Sequence, residues 1–197
     1  KIDRCIWKTA RSIIDNSEFL VGRMYRNFIQ GNKLTLRMSA YNLEENKTTW
    51  EEFANPNDPN YLMVNTEFKA PFNNEPLFES WGDIYKPVIK WNGKNHEIEV
   101  KFSLAKKKAR QVQGNAGSLD YGKHAAKNIG VSIVRAGREL ILDDSWAISY
   151  DPVERWWAVQ LDFPPSLDEL FGVTNNKQSA NNFTELSKLD WESLLKG

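Results

Sequence analysis

Apolar residues recur at helical spacing along positions 1–30: Ile2, Cys5 and Ile6 first, then Phe19, Leu20, Met24 and Phe28, with the polar run Asp15-Asn16-Ser17 between the two sets. This spacing predicts a helical lead-in over 1–31, broken near 15–17, where Ser17 can cap the second piece, and ended by Gly31-Asn32. From Leu34 to Tyr41 partial alternation replaces the helical period and predicts a first strand. Residues 43–87 contain Pro56, Pro59, Pro71, Pro76 and Pro87 and the turn-forming run Asn55 to Asn60. They read as a long irregular insertion of loops and extended pieces.

Patterning is clearer after residue 90. Residues 96–104 set Ile98, Val100 and Phe102 against charged neighbours, the period of a half-buried strand. Residues 131–134 and 139–142 flank Arg135-Ala136-Gly137-Arg138, which predicts a tight hairpin with Gly137 at positive φ. Residues 156–163 read as a further strand, 167–171 as a short helix, and 182–195 as a final helix presenting Phe183, Leu186, Leu189 and Leu194. The expected class is α+β (α/β two-layer), a mixed β-sheet backed by helices, in one domain over 1–197. Its parts are the lead-in 1–31, a sheet over 32–165 interrupted by 43–87, and a loop with a C-terminal helix over 166–197.

Composition places the chain among ordinary globular proteins, since 41% of residues are apolar and 26% charged. No apolar run is long enough to span a bilayer and no signal-peptide pattern opens the chain, so a cytoplasmic protein without membrane contact is expected. The single cysteine, Cys5, cannot form an internal disulfide, and beside only His96 and His124 it offers no metal-ligand spacing. It reads as a small buried hydrophobe.

The formal net charge of zero hides a segregation along the chain. Residues 86–138 hold twelve Lys and Arg against three acids, a net +9, whereas residues 139–197 hold four against eleven, a net −7. Lys106, Lys107, Lys108 and Arg110 precede the glycine-containing run 113–117, with Lys123 and Lys127 beyond it, which predicts a flexible basic loop. One function class follows directly. These six residues over 101–127 could contact the phosphates of a nucleic acid, with affinity that falls steeply with salt.

Residues 117–124, GSLDYGKH, match the glycine and lysine spacing of a phosphate-binding loop, but His124 stands where a magnesium-binding Ser or Thr belongs. No buried strand leads into them, so a mobile packing loop is expected instead, with His124 as a loop residue. Asp143-Asp144 cannot aim both carboxylates at one site from a strand and read as a turn or strand end. Trp81, Trp91, Trp146, Trp156 and Trp157 could form an aromatic platform but are expected to fill a core and an interface.

The stretch 162–183, DFPPSLDELFGVTNNKQSANNF, places one lysine, Lys177, among the amides Asn175, Asn176 and Gln178. Two readings stand side by side: an ammonium offered to phosphate oxygens, or a solvated lysine in a turn and N-cap cluster. Together with NIGVSIVRAGREL at 128–140 and Arg155-Trp156-Trp157, the run LDELFGVTNNKQ at 167–178 resembles the transducer domain of the GHKL ATPases. That superfamily includes gyrase B subunits, MutL repair proteins, heat-shock chaperones and MORC proteins. The resemblance is strongest to bacterial Hsp-like or MORC-like ATP-binding proteins and extends from Arg11 onward.

The resemblance implies a ribosomal-protein-S5 domain 2-like fold and a preceding Bergerat-fold domain that binds ATP and Mg2+. It also implies that Lys177 reaches the γ-phosphate, with Asn176 and Gln178 supporting its loop. An ATP-dependent homodimer and DNA are the partners the family suggests. The pattern departs from a complete ATPase: no helix carrying the Glu and Asn that activate water, no Asp-x-Gly motif and no glycine-rich lid occur in order. The chain also opens at Lys1 inside a helical pattern, so the expectation is an excised domain that holds no cofactor and hydrolyses no ATP by itself.

Overall fold

The computed structural model describes residues 9–148, 150–173 and 179–189, and the chain divides into two compact units, 1–58 and 59–197. In the first unit, helix α1 (Ala10–Met24) opens on Thr9, whose hydroxyl accepts from the Ser12 amide at 3.1 Å while the Ser12 hydroxyl accepts from the Thr9 amide. This reciprocal cap satisfies two donors that a helix start leaves orphaned. The helix then runs straight through 15–17, where a break was expected. Asn16 is accommodated because its amide donates back to the Ser12 carbonyl at 2.7 Å. The interruption falls instead at Tyr25, whose φ of −111° and ψ of 12° separate α1 from α2 (Arg26–Gln30).

Strands β1 (Arg37–Asn42) and β2 (Lys47–Phe53) form an antiparallel hairpin with a bulge between Ala40 and Tyr41. β2 lies inside the insertion expected to be irregular. Its sequence, KTTWEEF, has no apolar alternation, and backbone pairing with β1 makes it a strand. Trp50 carries the Arg11 guanidinium 4.5 Å from its ring centroid. Residues 55–58 return to α1, where the Asn57 amide donates to the Gly22 carbonyl at 3.2 Å and Asp58 pairs with the fully buried Arg26 at 3.5 Å.

The second unit is α+β, built on a mixed five-stranded sheet. Its chain order is β3 (Phe78–Ser80), the hairpin β4 (Val88–Trp91) and β5 (Lys94–Glu97), β6 (Glu99–Ala105), α3 (Lys107–Arg110), α4 (Asp120–Ala125), β7 (Val131–Arg135), β8 (Arg138–Asp143), β9 (Trp157–Phe163) and α5 (Asn181–Leu186). The spatial order of the sheet is β3-β6-β9-β7-β8, antiparallel throughout except for the parallel pair β7/β9.

Alternation along the central strands sends side chains to two cores. Val159, Leu161 and Phe163 of β9 join Val131 and Ile133 of β7 on one face, beneath Leu167, Phe171 and Ala180. On the other face Ala158 and Ala105 lie beneath Tyr61, Phe68, Phe78, Tyr121 and Ala125. Each fully buried Phe or Leu here contributes about 2 kcal/mol of transfer free energy, so the central strands are the most strongly held part of the unit.

The hairpin at 135–138 forms as predicted, with Ala136 at φ 50° and Gly137 at φ 82°. The strand expected over 96–104 is two elements. Its first residues belong to β5, which pairs with β4 through Asn92-Gly93 at φ 49° and 75°, and buried Ile98 separates β5 from β6 while its amide donates to the Pro87 carbonyl. Asn-Gly between two extended runs is a strong hairpin signal. Trp156 lies in a 3-10 turn, Glu154–Trp156, outside β9, and in place of the short helix expected over 167–171 a 3-10 turn, Pro165–Leu167, runs into hydrogen-bonded turns over 168–171. Asp143 ends β8 as expected, capping Ser145 and accepting from the Thr184 hydroxyl at 2.6 Å. The helix expected over 182–195 is cut short: α5 ends at Leu186, after which Ser187, Lys188 and Leu189 turn, and Cys5 and residues 190–195 lie outside the described residues. Among those described, no helix is long and apolar enough to cross a membrane.

Candidate functional site

After α3 the chain passes through Gly114, at φ 89°, into a 3-10 turn, Ala116–Ser118. Asn115 caps this turn, its side-chain oxygen accepting from the Gly117 amide at 2.9 Å. Beside it stands Arg155, from the turn that precedes β9. The Arg155 Nε donates to the Pro152 carbonyl at 3.1 Å, and one terminal nitrogen donates to the Gly117 and Gly122 carbonyls at 3.4 Å each. Carbonyls fix this guanidinium without neutralising it, and no carboxylate among the described residues lies within ion-pair distance. Arg155, Arg110 and Ser118 line a cleft of about 490 Å³.

Two glycines let these parts approach. A Cβ on Gly117 would lie 2.9 Å from the terminal nitrogen of Arg155, and one on Gly122 would lie 2.2 Å from the Ala116 carbonyl oxygen. The spacing of Gly117 and Gly122 therefore serves the packing of α4 on the turn before it. The predicted mobile loop is replaced by α4, held further by the Tyr121 hydroxyl donating to the Ala109 carbonyl of α3 at 3.0 Å. No strand of the sheet leads directly into the segment, in keeping with the exclusion of a phosphate-binding loop.

His124 lies in α4 and not in a loop. Its Nδ1 is 2.8 Å from the Tyr61 hydroxyl, which also accepts from the Asn128 amide at 3.0 Å, and its ring meets Phe68 edge-on with centroids 5.2 Å apart. The tautomer of His124 decides which of the two groups donates in this contact. Burial, with a smaller contribution from the Lys127 charge, pushes the His124 pKa from 6.5 down to about 4. Tyr61 is 4% exposed and holds φ at 51°, a left-handed conformation uncommon for an aromatic residue. The sequence marks it only by the preceding Pro59-Asn60.

The six basic residues fall into different environments. Lys106 and Lys108 both bind Glu75, at 3.1 and 2.5 Å, and Lys108 first and Lys106 second hold the Glu75 carboxyl below its usual range. Glu75, in the stretch read as irregular, was not foreseen as their partner. Lys107, Arg110 and Lys123 are exposed and make no ion pair with a described residue. Lys127 is exposed and lies close enough to His124 to depress its protonation.

Asn176, Lys177 and Gln178 lie outside the described residues. The residues on either side are tied together: Val173 and Ala180 form an antiparallel bridge, the Asn182 amide side chain donates to the Leu170 carbonyl at 2.9 Å, and Phe171 stacks on Phe163 of β9 at 4.2 Å. Arg135, at the end of β7, grips Asp168 with two bonds of 2.5 and 2.7 Å, and this partner raises the guanidinium pKa. Of the tryptophans, Trp91, Trp146 and Trp156 pack against the two cores, whereas Trp81 is 69% exposed over an apolar groove with Phe102 and Trp157. No protein-family model, curated protein or solved structure matches the chain.

Proposed function

We propose that this chain works as the transducer domain of a GHKL-type ATPase, relaying the state of a nucleotide held by a neighbouring domain of the same polypeptide. The observation that carries the reading is the fixed base on both sides of residues 174–178. The Val173–Ala180 bridge, the Phe163–Phe171 stack and the Arg135–Asp168 grip join that base to β7 and β9 at the centre of the sheet. On this reading, binding at Lys177 is relayed through these strands. The mixed sheet with helices beside it is also the architecture that the sequence resemblance implies.

In this reading Lys177 contacts the γ-phosphate, and Asn176 and Gln178 support it. An ammonium against the terminal phosphate favours the triphosphate-bound arrangement over the diphosphate one, so loss of that phosphate releases the contact. No group of three acidic, His or Cys side chains among the described residues is placed to hold a metal. In the family resembled, Mg2+ and the body of ATP sit in the nucleotide-binding domain, and the role proposed for this chain is the sensing of the terminal phosphate. Lys177→Ala in the polypeptide that carries both domains tests it: hydrolysis or nucleotide-dependent closure falls while folding is retained. Unchanged turnover and closure overturn the assignment.

A further inference from the structure

We infer that the cleft between the 114–118 turn and Arg155 is a binding site for a phosphate group, independent of Lys177. Three features converge there. First, the Arg155 guanidinium is oriented in advance by the Pro152, Gly117 and Gly122 carbonyls, which consume some of its donors but none of its charge. The nitrogen left out of those bonds retains its two protons, and a planar guanidinium whose rotamer is already fixed loses less freedom on capturing an oxyanion. Second, Arg110 lines the same cleft from the end of α3, exposed and without an ion pair among the described residues. Third, the wall between them is the turn 114–118, where Gly117 and Gly122 allow close backbone approach and Ser118 adds an exposed hydroxyl.

The lining is polar and its only charged side chains are the two arginines. Two guanidinium groups with no ion pair to a described residue match an oxyanion carrying more than one negative charge, and phosphate accepts the parallel N–H bonds that such planar groups present. At about 490 Å³ the cleft is large enough for a phosphate together with whatever bears it. The shared chemistry is a phosphate ester or anhydride; the bearer is a small phosphorylated molecule or a nucleic-acid backbone.

The test uses inorganic pyrophosphate and a short oligothymidylate as probes, titrated into the protein at low salt and followed by amide and arginine Nε resonances. The variants are Arg110→Gln and Ser118→Glu, both at exposed positions that leave the Arg155 carbonyl contacts intact. The expected result is saturable binding that moves the resonances of 114–118 and Arg155, weakened about tenfold or more in each variant. Binding of pyrophosphate with that sensitivity supports a small phosphorylated ligand. Binding confined to the oligonucleotide, with the same sensitivity and a steep salt dependence, supports a nucleic-acid backbone. Binding of neither probe, or binding indifferent to both substitutions, overturns the site.

Discussion

Acidification from pH 7 to pH 4 is expected to destabilise the protein through His124. In the folded state its imidazole is neutral at pH 7, hydrogen-bonded to Tyr61, with a pKa depressed from 6.5 to about 4 by burial and, second, by the Lys127 charge. Unfolding exposes it to water, where it recovers its ordinary pKa. Above 6.5 neither state holds the proton and the contribution to stability is complete. As pH falls below 6.5 the unfolded state takes up a proton that the folded state refuses, so stability is lost until the folded pKa is reached. Integrated over that window the loss is about 3 kcal/mol, a large fraction of the 5–15 kcal/mol typical of a whole domain. The assay is urea unfolding at several pH values and constant ionic strength, for the wild type and for His124→Gln, which keeps an acceptor for Tyr61 but cannot be protonated. Carboxylates contribute equally to both proteins and cancel in the difference. The difference in stability should shrink by about 3 kcal/mol between pH 7 and pH 4. Parallel pH profiles for the two proteins would refute the assignment of a buried, neutral imidazole.

Tyr61→Phe removes the hydroxyl that serves both His124 and Asn128, and should cost about 1–3 kcal/mol in chemical unfolding, since two buried groups lose a partner; a change under a few tenths would show that the network is not formed. Gly122→Ala places a methyl 2.2 Å from the Ala116 carbonyl, so α4 and the 116–118 turn must separate. Thermal unfolding should report a loss of roughly 1–3 kcal/mol, and an unchanged midpoint would mean that the close approach is absent. In the first unit, Asp58→Leu removes a carboxylate 3.5 Å from the fully buried Arg26, and a loss of about 3–5 kcal/mol is expected by the same measurement.

The sequence was most informative where burial alternates with exposure. The 135–138 hairpin, β9 and the α+β class followed from period-two patterning around apolar strands and from Gly137. β2 was not legible because its side chains are mostly polar, and its pairing with β1 depends on backbone bonds that leave no hydrophobic signature. The β4/β5 hairpin carries a sequence signal in Asn92-Gly93, whereas Ile98, Val100 and Phe102 read as one strand that the structure divides at Ile98. At the candidate site the glycine spacing of 117 and 122 was visible, yet its purpose was set by contacts with Ala116 and Arg155 that sequence order does not reveal. Glu75 and Tyr61, distant in sequence from the lysines and the histidine they bind, belong to the same class. Long-range pairing was the information that patterning lacked.

ATP turnover of a polypeptide that joins this chain to the proposed nucleotide-binding domain, measured for the wild type and for Lys177→Ala, separates the transducer reading from its alternatives. If the lysine stabilises the departing terminal phosphate, the variant should lose about 10²-fold or more in kcat, with ADP affinity unchanged and the unfolding midpoint of the domain preserved. Equal turnover in the two proteins would contradict the transducer account.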